Sequence, residues 1–115
     1  MHPFKHDPFE YVMQAFENLY GKHDVLIQWN PIKDHKGKEC YGRTSLLDDG
    51  TFAIDISPNL KIRDAIEVLG HELAHVSAGL ENAHNKAWQR ADDAIYEEYL
   101  RIIRDQQKQC GGKLV

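Results

Sequence analysis

The chain has 115 residues, of which 42% are hydrophobic and 28% charged, with 14 basic residues scattered among 18 acidic ones for a formal net charge of -4. A chain of this length reads as one domain over residues 1–115, built on a single core. Its charge leaves no electrostatic footprint for nucleic acid, and no apolar run approaches the roughly 20 residues of a membrane span.

The opening MHPFKHDPFEYVMQAF has no basic segment followed by a continuous apolar one. It does not read as a secretory signal, and a soluble, cytoplasmic protein is expected. In chain order, Asp7-Pro8-Phe9-Glu10 is a helix start, with a capping acid, a first-turn proline and an acid placed to reach back. Phe9, Val12, Met13, Phe16, Leu19 and Tyr20 then recur at helical spacing as a buried stripe, and Gly21 is placed to end the helix. Residues 25–29, VLIQW, are short and β-prone and read as a strand. The segment 32–39 is polar, with Lys33, Lys36 and Lys38, and reads as a solvated loop before a second strand over about 40–46.

Asp48-Asp49-Gly50 is a turn signal, and residues 51–56 alternate Phe52, Ile54 and Ile56 against Ala53 and Asp55, which predicts a β-hairpin. Pro58 closes that strand. A helix starting between Asn59 and Arg63 carries Ile62, Ile66, Leu69, Leu73 and Val76 in steps of four and three and stops at Gly79. A long last helix runs from His84 or Asn85 towards Gln109, before a frayed Gly111-Gly112 tail. Cys40 and Cys110 have no CxxC partner and read as plain thiols. The predicted fold is α+β, with an N-terminal helix, a small three-stranded sheet, a helix carrying HELAH and a long C-terminal helix.

HELAH holds the chemistry. His71 and His75 are four apart in the interior of a predicted helix, so they project from one face and can share an ion. Glu72 follows the first histidine, where it can reach a metal-bound water as general base without being a ligand. Two histidines do not hold zinc firmly, so a third ligand is needed. The pattern H-E-x-x-H-x-x-G-x-x-H fails here, because Ala78 and Glu81 stand where glycine and histidine would be. Asp92, Asp93, Glu97 and Glu98 on the last helix lie at plausible separations, but acids are common on a solvated helix. His84 is the better candidate: it follows the Gly79 stop, begins the last helix, and has Trp88 four residues on to pack beneath it. Tyr41, Tyr96, Tyr99 and Arg90 are candidates for stabilising an oxyanion, with none preferred.

HELAH followed after eight residues by HNKAW resembles the SprT-like zincins over about residues 51–95, although the position after the third histidine, glycine in many members, is Asn85 here. The resemblance implies a zincin-like fold and Zn2+ bound by His71, His75 and His84. It further implies hydrolysis of peptide bonds by a zinc-activated water with Glu72 as general base, and an edge strand at 51–56 along which a peptide or protein substrate pairs. The alternatives are a zincin-fold metal-binding or protein-interaction module without turnover, against which the presence of Glu72 argues, and a metal-free structural domain.

Overall fold

The computed structural model describes residues 7–82 and 84–109; Cys110 and the expected glycine tail lie outside them. The first helix, α1 (Pro8–Tyr20), begins where its sequence places it. The Asp7 carboxylate accepts the Phe9 N–H at 2.9 Å, and Gly21, at φ 81°, closes the helix with its N–H on the Glu17 carbonyl. A capping carboxylate of this kind contributes about 1 kcal/mol. Val12, Ala15 and Phe16 are buried, but Leu19 is 42% and Tyr20 36% exposed, so the stripe is shorter than its periodicity predicts. The last turn of α1 sits at the margin of the core, where spacing alone cannot say that nothing covers it.

Among the described residues five strands follow: β1 (Val25–Trp29), β2 (Ile32–Lys33), β3 (Glu39–Cys40), β4 (Gly42–Leu46) and β5 (Phe52–Ile56). The expected loop at 32–39 contains a small antiparallel ladder, with Ile32 opposite Cys40 and Lys33 opposite Glu39. Asp34 organises its turn by accepting the N–H groups of Lys36 and Lys38 at 2.8 and 2.9 Å. The strand expected over 40–46 is divided at Tyr41. Two-residue strands are too short to show a period, which is why the polar composition concealed them.

β1, β5 and β4 form one sheet in that order, β5 pairing parallel to β1 and antiparallel to β4. The hairpin is present, closed by Leu47 N–H on the Thr51 carbonyl and by Gly50, at φ 89°, on the Leu47 carbonyl. The expectation that 51–56 is an edge strand is overturned: β5 is central, and both its edges are occupied. A central position also explains why Ala53, Ile54, Asp55 and Ile56 are all buried despite alternating polarity. The open edge beside the HELAH helix belongs to β4. Tyr41 accepts from Ser57 N–H and Leu47 donates to Thr51, so Arg43 and Ser45 between them bond to β5. Gly42, Thr44 and Leu46 therefore turn their backbone groups outward.

The cross-strand register puts Val25, Ile27, Ile54, Ile56, Gly42 and Thr44 on the face covered by helices. Against it lies α2 (Ile62–Ala78), with Leu69 and Leu73 fully buried and Val76 nearly so, whereas Ile62 is 66% exposed in the first turn. Each such leucine contributes roughly 1.5–3 kcal/mol by leaving water. The last helix, α3 (Lys86–Gln109), adds Trp88, Ala91, Ile95 and Ile102 to the core. No helix among the described residues is long and apolar enough to cross a membrane.

Candidate metal centre

α2 supplies His71, Glu72 and His75 from its interior, and His84 comes from the bend just before α3, which starts at Lys86 and not at His84 or Asn85 as expected. The turn between the helices is tightly tied. Gly79, at φ 96°, donates its N–H to the His75 carbonyl, and Asn82 Nδ2 donates to the Ala78 carbonyl at 2.6 Å. Asn85 Nδ2 donates in turn to Asn82 Oδ1, while Asn85 Oδ1 accepts the Trp88 N–H at 3.1 Å. Asn85 is thus the N-cap of α3, a task its side chain performs and a glycine in its place would leave undone. His84 itself has φ 58°, in the left-handed region. A non-glycine residue there carries strain on the order of 1 kcal/mol, a feature concentrated at functional sites.

The three imidazoles gather around one indole. The Trp88 ring centroid lies 5.5 Å from that of His71, 5.5 Å from that of His75 and 4.6 Å from that of His84, and His75 and His84 are 5.1 Å apart. Trp88 Nε1 donates to the His71 carbonyl at 3.0 Å, so a buried polar N–H fixes the ring between the helices. His71 Nδ1 pairs with Asp92 Oδ1 at 2.7 Å. That bond, the main cause, raises the His71 pKa above its ordinary value against the opposing effect of burial. The His75 pKa is lowered, first by burial and then by its histidine neighbours.

Glu72 sits in a cradle made by the edge strand. Thr44 Oγ1 donates to Glu72 Oε1 at 2.7 Å and lies 3.2 Å from the Glu72 carbonyl oxygen. Two residues earlier, a Cβ on Gly42 would stand 2.6 Å from Val68 Cγ1 and 3.0 Å from Glu72 Oε2, so only glycine lets β4 approach α2 this closely. Burial raises the Glu72 pKa, opposed by the Thr44 hydrogen bond and by the charges of His71 and His84. Gly42→Ala is expected to destabilise the protein by about 1–3 kcal/mol through overpacking. Urea unfolding checks this; an unchanged midpoint would mean that the close approach of β4 to α2 is not required.

Of the sequence candidates, the structure brings His71, His75 and His84 to one indole and places Glu72 beside the first. It does not close them into a ligand set: among the described residues no three His, Cys, Asp or Glu side chains converge closely enough to hold an ion. His71 is pinned by Asp92, and His84 is the exposed member. The acids are accounted for differently. Asp92 stands behind His71, Glu98 joins Asn18 and Arg101, and the Glu81 carboxylate lies against Gly79. Thr44, Gly42 and the Asp92 pairing were not read from the sequence. Only the i, i+4 spacing of Trp88 and Asp92 on α3 hinted that Asp92 shares the Trp88 face.

No protein-family model and no curated protein matches the sequence. Among solved structures, the fold is similar to that of a metallopeptidase zymogen, abylysin of Pyrococcus abyssi. The two share a TM-score of 0.57 at 21% identity, over 95% of this chain and 100% of that one. The likeness is one of fold: an α+β architecture compatible with that of a metallopeptidase.

Proposed function

We propose that this chain is a zinc-dependent metallopeptidase in which His71, His75 and His84 hold Zn2+ and Glu72 is the general base. The observation that carries the reading is the gathering of three imidazoles around Trp88 beside a buried glutamate clamped by an edge-strand hydroxyl. Three neutral imidazoles suit zinc and leave a fourth position for solvent. His71 commits Nδ1 to Asp92, the carboxylate–histidine pairing usual behind a metal ligand, which leaves Nε2, 3.9 Å from Glu67 Oε1, as the nitrogen that would ligate. Burial and then the neighbouring histidines lower the His75 pKa and so favour the neutral form that ligates. The likeness in fold to a metallopeptidase zymogen supports the same reading.

When bound, the ion supplies Lewis acidity, lowering the pKa of water and polarising a carbonyl. Glu72 is suited to take the water's proton because burial raises its affinity for one, while Thr44 holds Oε1 and leaves Oε2 over the bare Cα of Gly42. The same carboxyl then delivers the proton to the leaving amine. A peptide in extended form would pair with the outward backbone groups of Gly42, Thr44 and Leu46 on β4, two of which are the cradle residues themselves. The partner in this reading is a peptide or protein, and its setting the cytoplasm.

Elemental analysis of purified protein tests the metal. The expected result is about one zinc per chain at neutral pH. Affinity should fall as pH drops, because the ion competes with protons for the imidazoles; the raised pKa of His71 starts that competition above the ordinary value of 6.5. Chelator-sensitive cleavage of casein tests turnover. Protein that stays metal-free after dialysis against zinc, with an unchanged melting temperature, overturns the proposal, and zinc without cleavage favours the binding-module alternative.

A further inference from the structure

β1 is an edge strand without guards of its own. Edges are ordinarily blunted by charged residues, proline, bulges or a covering segment, yet β1 reads Val-Leu-Ile-Gln-Trp, and among the described residues no strand pairs with its outer side. An uncharged, β-prone strand of this kind invites another chain to pair with it. Two ladder bonds fix which backbone groups the outer side presents. Phe52 N–H donates to the Asp24 carbonyl and Asn30 N–H to the Ile56 carbonyl. Leu26 and Gln28 between them therefore bond to β5, and Val25, Ile27 and Trp29 turn their N–H and C=O groups outward.

The same edge borders a groove of about 890 Å³ between β1 and α1, at the opposite edge of the sheet from β4. Phe9 and Met13 of α1 form one wall, Ile27 and Trp29 of β1 the other, and fully buried Leu69 lies behind them. The Trp29 ring is 50% exposed and meets Phe9 edge-on, 5.5 Å between centroids. The rim is acidic: Asp7, Glu10 and Glu17 stand against Lys22 alone, and Asp24 is exposed just ahead of the strand.

We propose that the outer edge of β1 and this groove together dock an extended segment of a partner protein, added to the sheet beside β1, with apolar side chains facing the middle of the groove and lysine or arginine at its ends. Backbone pairing with Val25, Ile27 and Trp29 supplies the attachment, and the alternate side chains that enter the groove supply the selectivity. Charge sets the ends. α1 carries Asp7 and Glu10 beside Trp29 and Glu17 in its last turns, so a basic side chain at either end of the added strand meets a carboxylate and an acidic one is repelled. No residue of the candidate metal centre takes part, so docking here stands or falls independently of the peptidase reading.

The test titrates the full 15N-labelled chain, with and without zinc, with acetyl-Lys-Thr-Val-Thr-Val-Thr-Lys-amide, whose lysines and valines share one face when extended. Saturable shifts are expected at the amides of Val25, Ile27 and Trp29 and at the Trp29 indole, and the affinity should fall as salt rises. The same peptide with glutamate for both lysines should bind roughly fivefold or more weakly. Glu17→Lys should narrow that difference, weakening the lysine probe and strengthening the glutamate one. Ile27→Pro takes only an outward N–H from the edge and should abolish the β1 shifts; if it lowers the melting temperature, Glu17→Lys decides alone. No saturable shift, equal binding of the two peptides, or an unchanged difference between them in Glu17→Lys overturns the proposal. Shifts confined to Gly42, Thr44 and Leu46 also overturn it and leave the β4 substrate edge standing. Two further results replace the occupant and so overturn it: concentration-dependent shifts of the β1 amides without probe, with a dimer in sedimentation, assign the edge to a second copy, and probe binding seen only after deletion of residues 1–6 assigns it to this chain's own N-terminus.

Discussion

Glu72→Gln is expected to reduce peptide hydrolysis by about 10²- to 10⁴-fold, the range for loss of a general base, while zinc content and melting temperature stay close to those of the parent. The substitution is nearly isosteric. Its amide oxygen can still accept the Thr44 hydroxyl that now bonds Oε1 at 2.7 Å, and the amide nitrogen fits over Gly42 where Oε2 lies. What disappears is the ability to accept a proton. Because burial is the main influence on Glu72 and disfavours its charged form, removing that charge does not harm the fold. The measurement pairs kcat/KM on a cleaved peptide with elemental analysis of the same sample. Hydrolysis at the parent rate, with zinc retained, would show that Glu72 is not the base.

His84→Gly should reduce zinc affinity more than any other single change outside α2. Glycine is the informative replacement, because it adopts φ 58° without strain and leaves the Asn82–Asn85 turn intact. Only the imidazole is lost, which leaves His71 and His75, two donors where three are required. Asp92→Ala is expected to weaken zinc by about 10- to 100-fold, as removal of an outer hydrogen-bond partner does, since it frees His71 Nδ1. Glu81→Ala should leave affinity unchanged, because its carboxylate rests against Gly79. Competition with a chromophoric chelator ranks the three. An affinity that survives His84→Gly and collapses by more than 100-fold in Asp92→Ala would make the aspartate the ligand and reassign the site.

How much of this was legible in the sequence depended on range. Several features decided within about one helical turn were readable: the Asp7 cap, the Gly50 turn, the Gly79 stop, the HELAH face, and Trp88 packing against His84. What depends on elements far apart in the chain was not. The alternation of 51–56 is the same for an edge and a central strand, and only the parallel pairing with β1 makes β5 central. Thr44 and Gly42 carry no sign of Glu72, 28 residues downstream of the threonine, because a threonine in a strand is ordinary and a glycine's packing role shows only when α2 is placed against it. Asp92 was readable as a nearby acid but not as the partner of Nδ1 on His71, since separation along the chain does not distinguish a ligand from the group behind a ligand.

The strand order has a consequence for how the molecule assembles. The β4–β5 hairpin closes through a short turn, and α2 and α3 meet across short separations: Trp88 reaches the His71 carbonyl over 17 residues. The Thr44–Glu72 bond spans 28 residues, about as many as the pairing of β1 with β5 must close. The helical pair that carries the three histidines is therefore expected to form before β4 closes on Glu72. On the proposed zinc reading, docking of the C-terminal helix would be the step that assembles the ligand set, because it brings His84 up to the two histidines of α2.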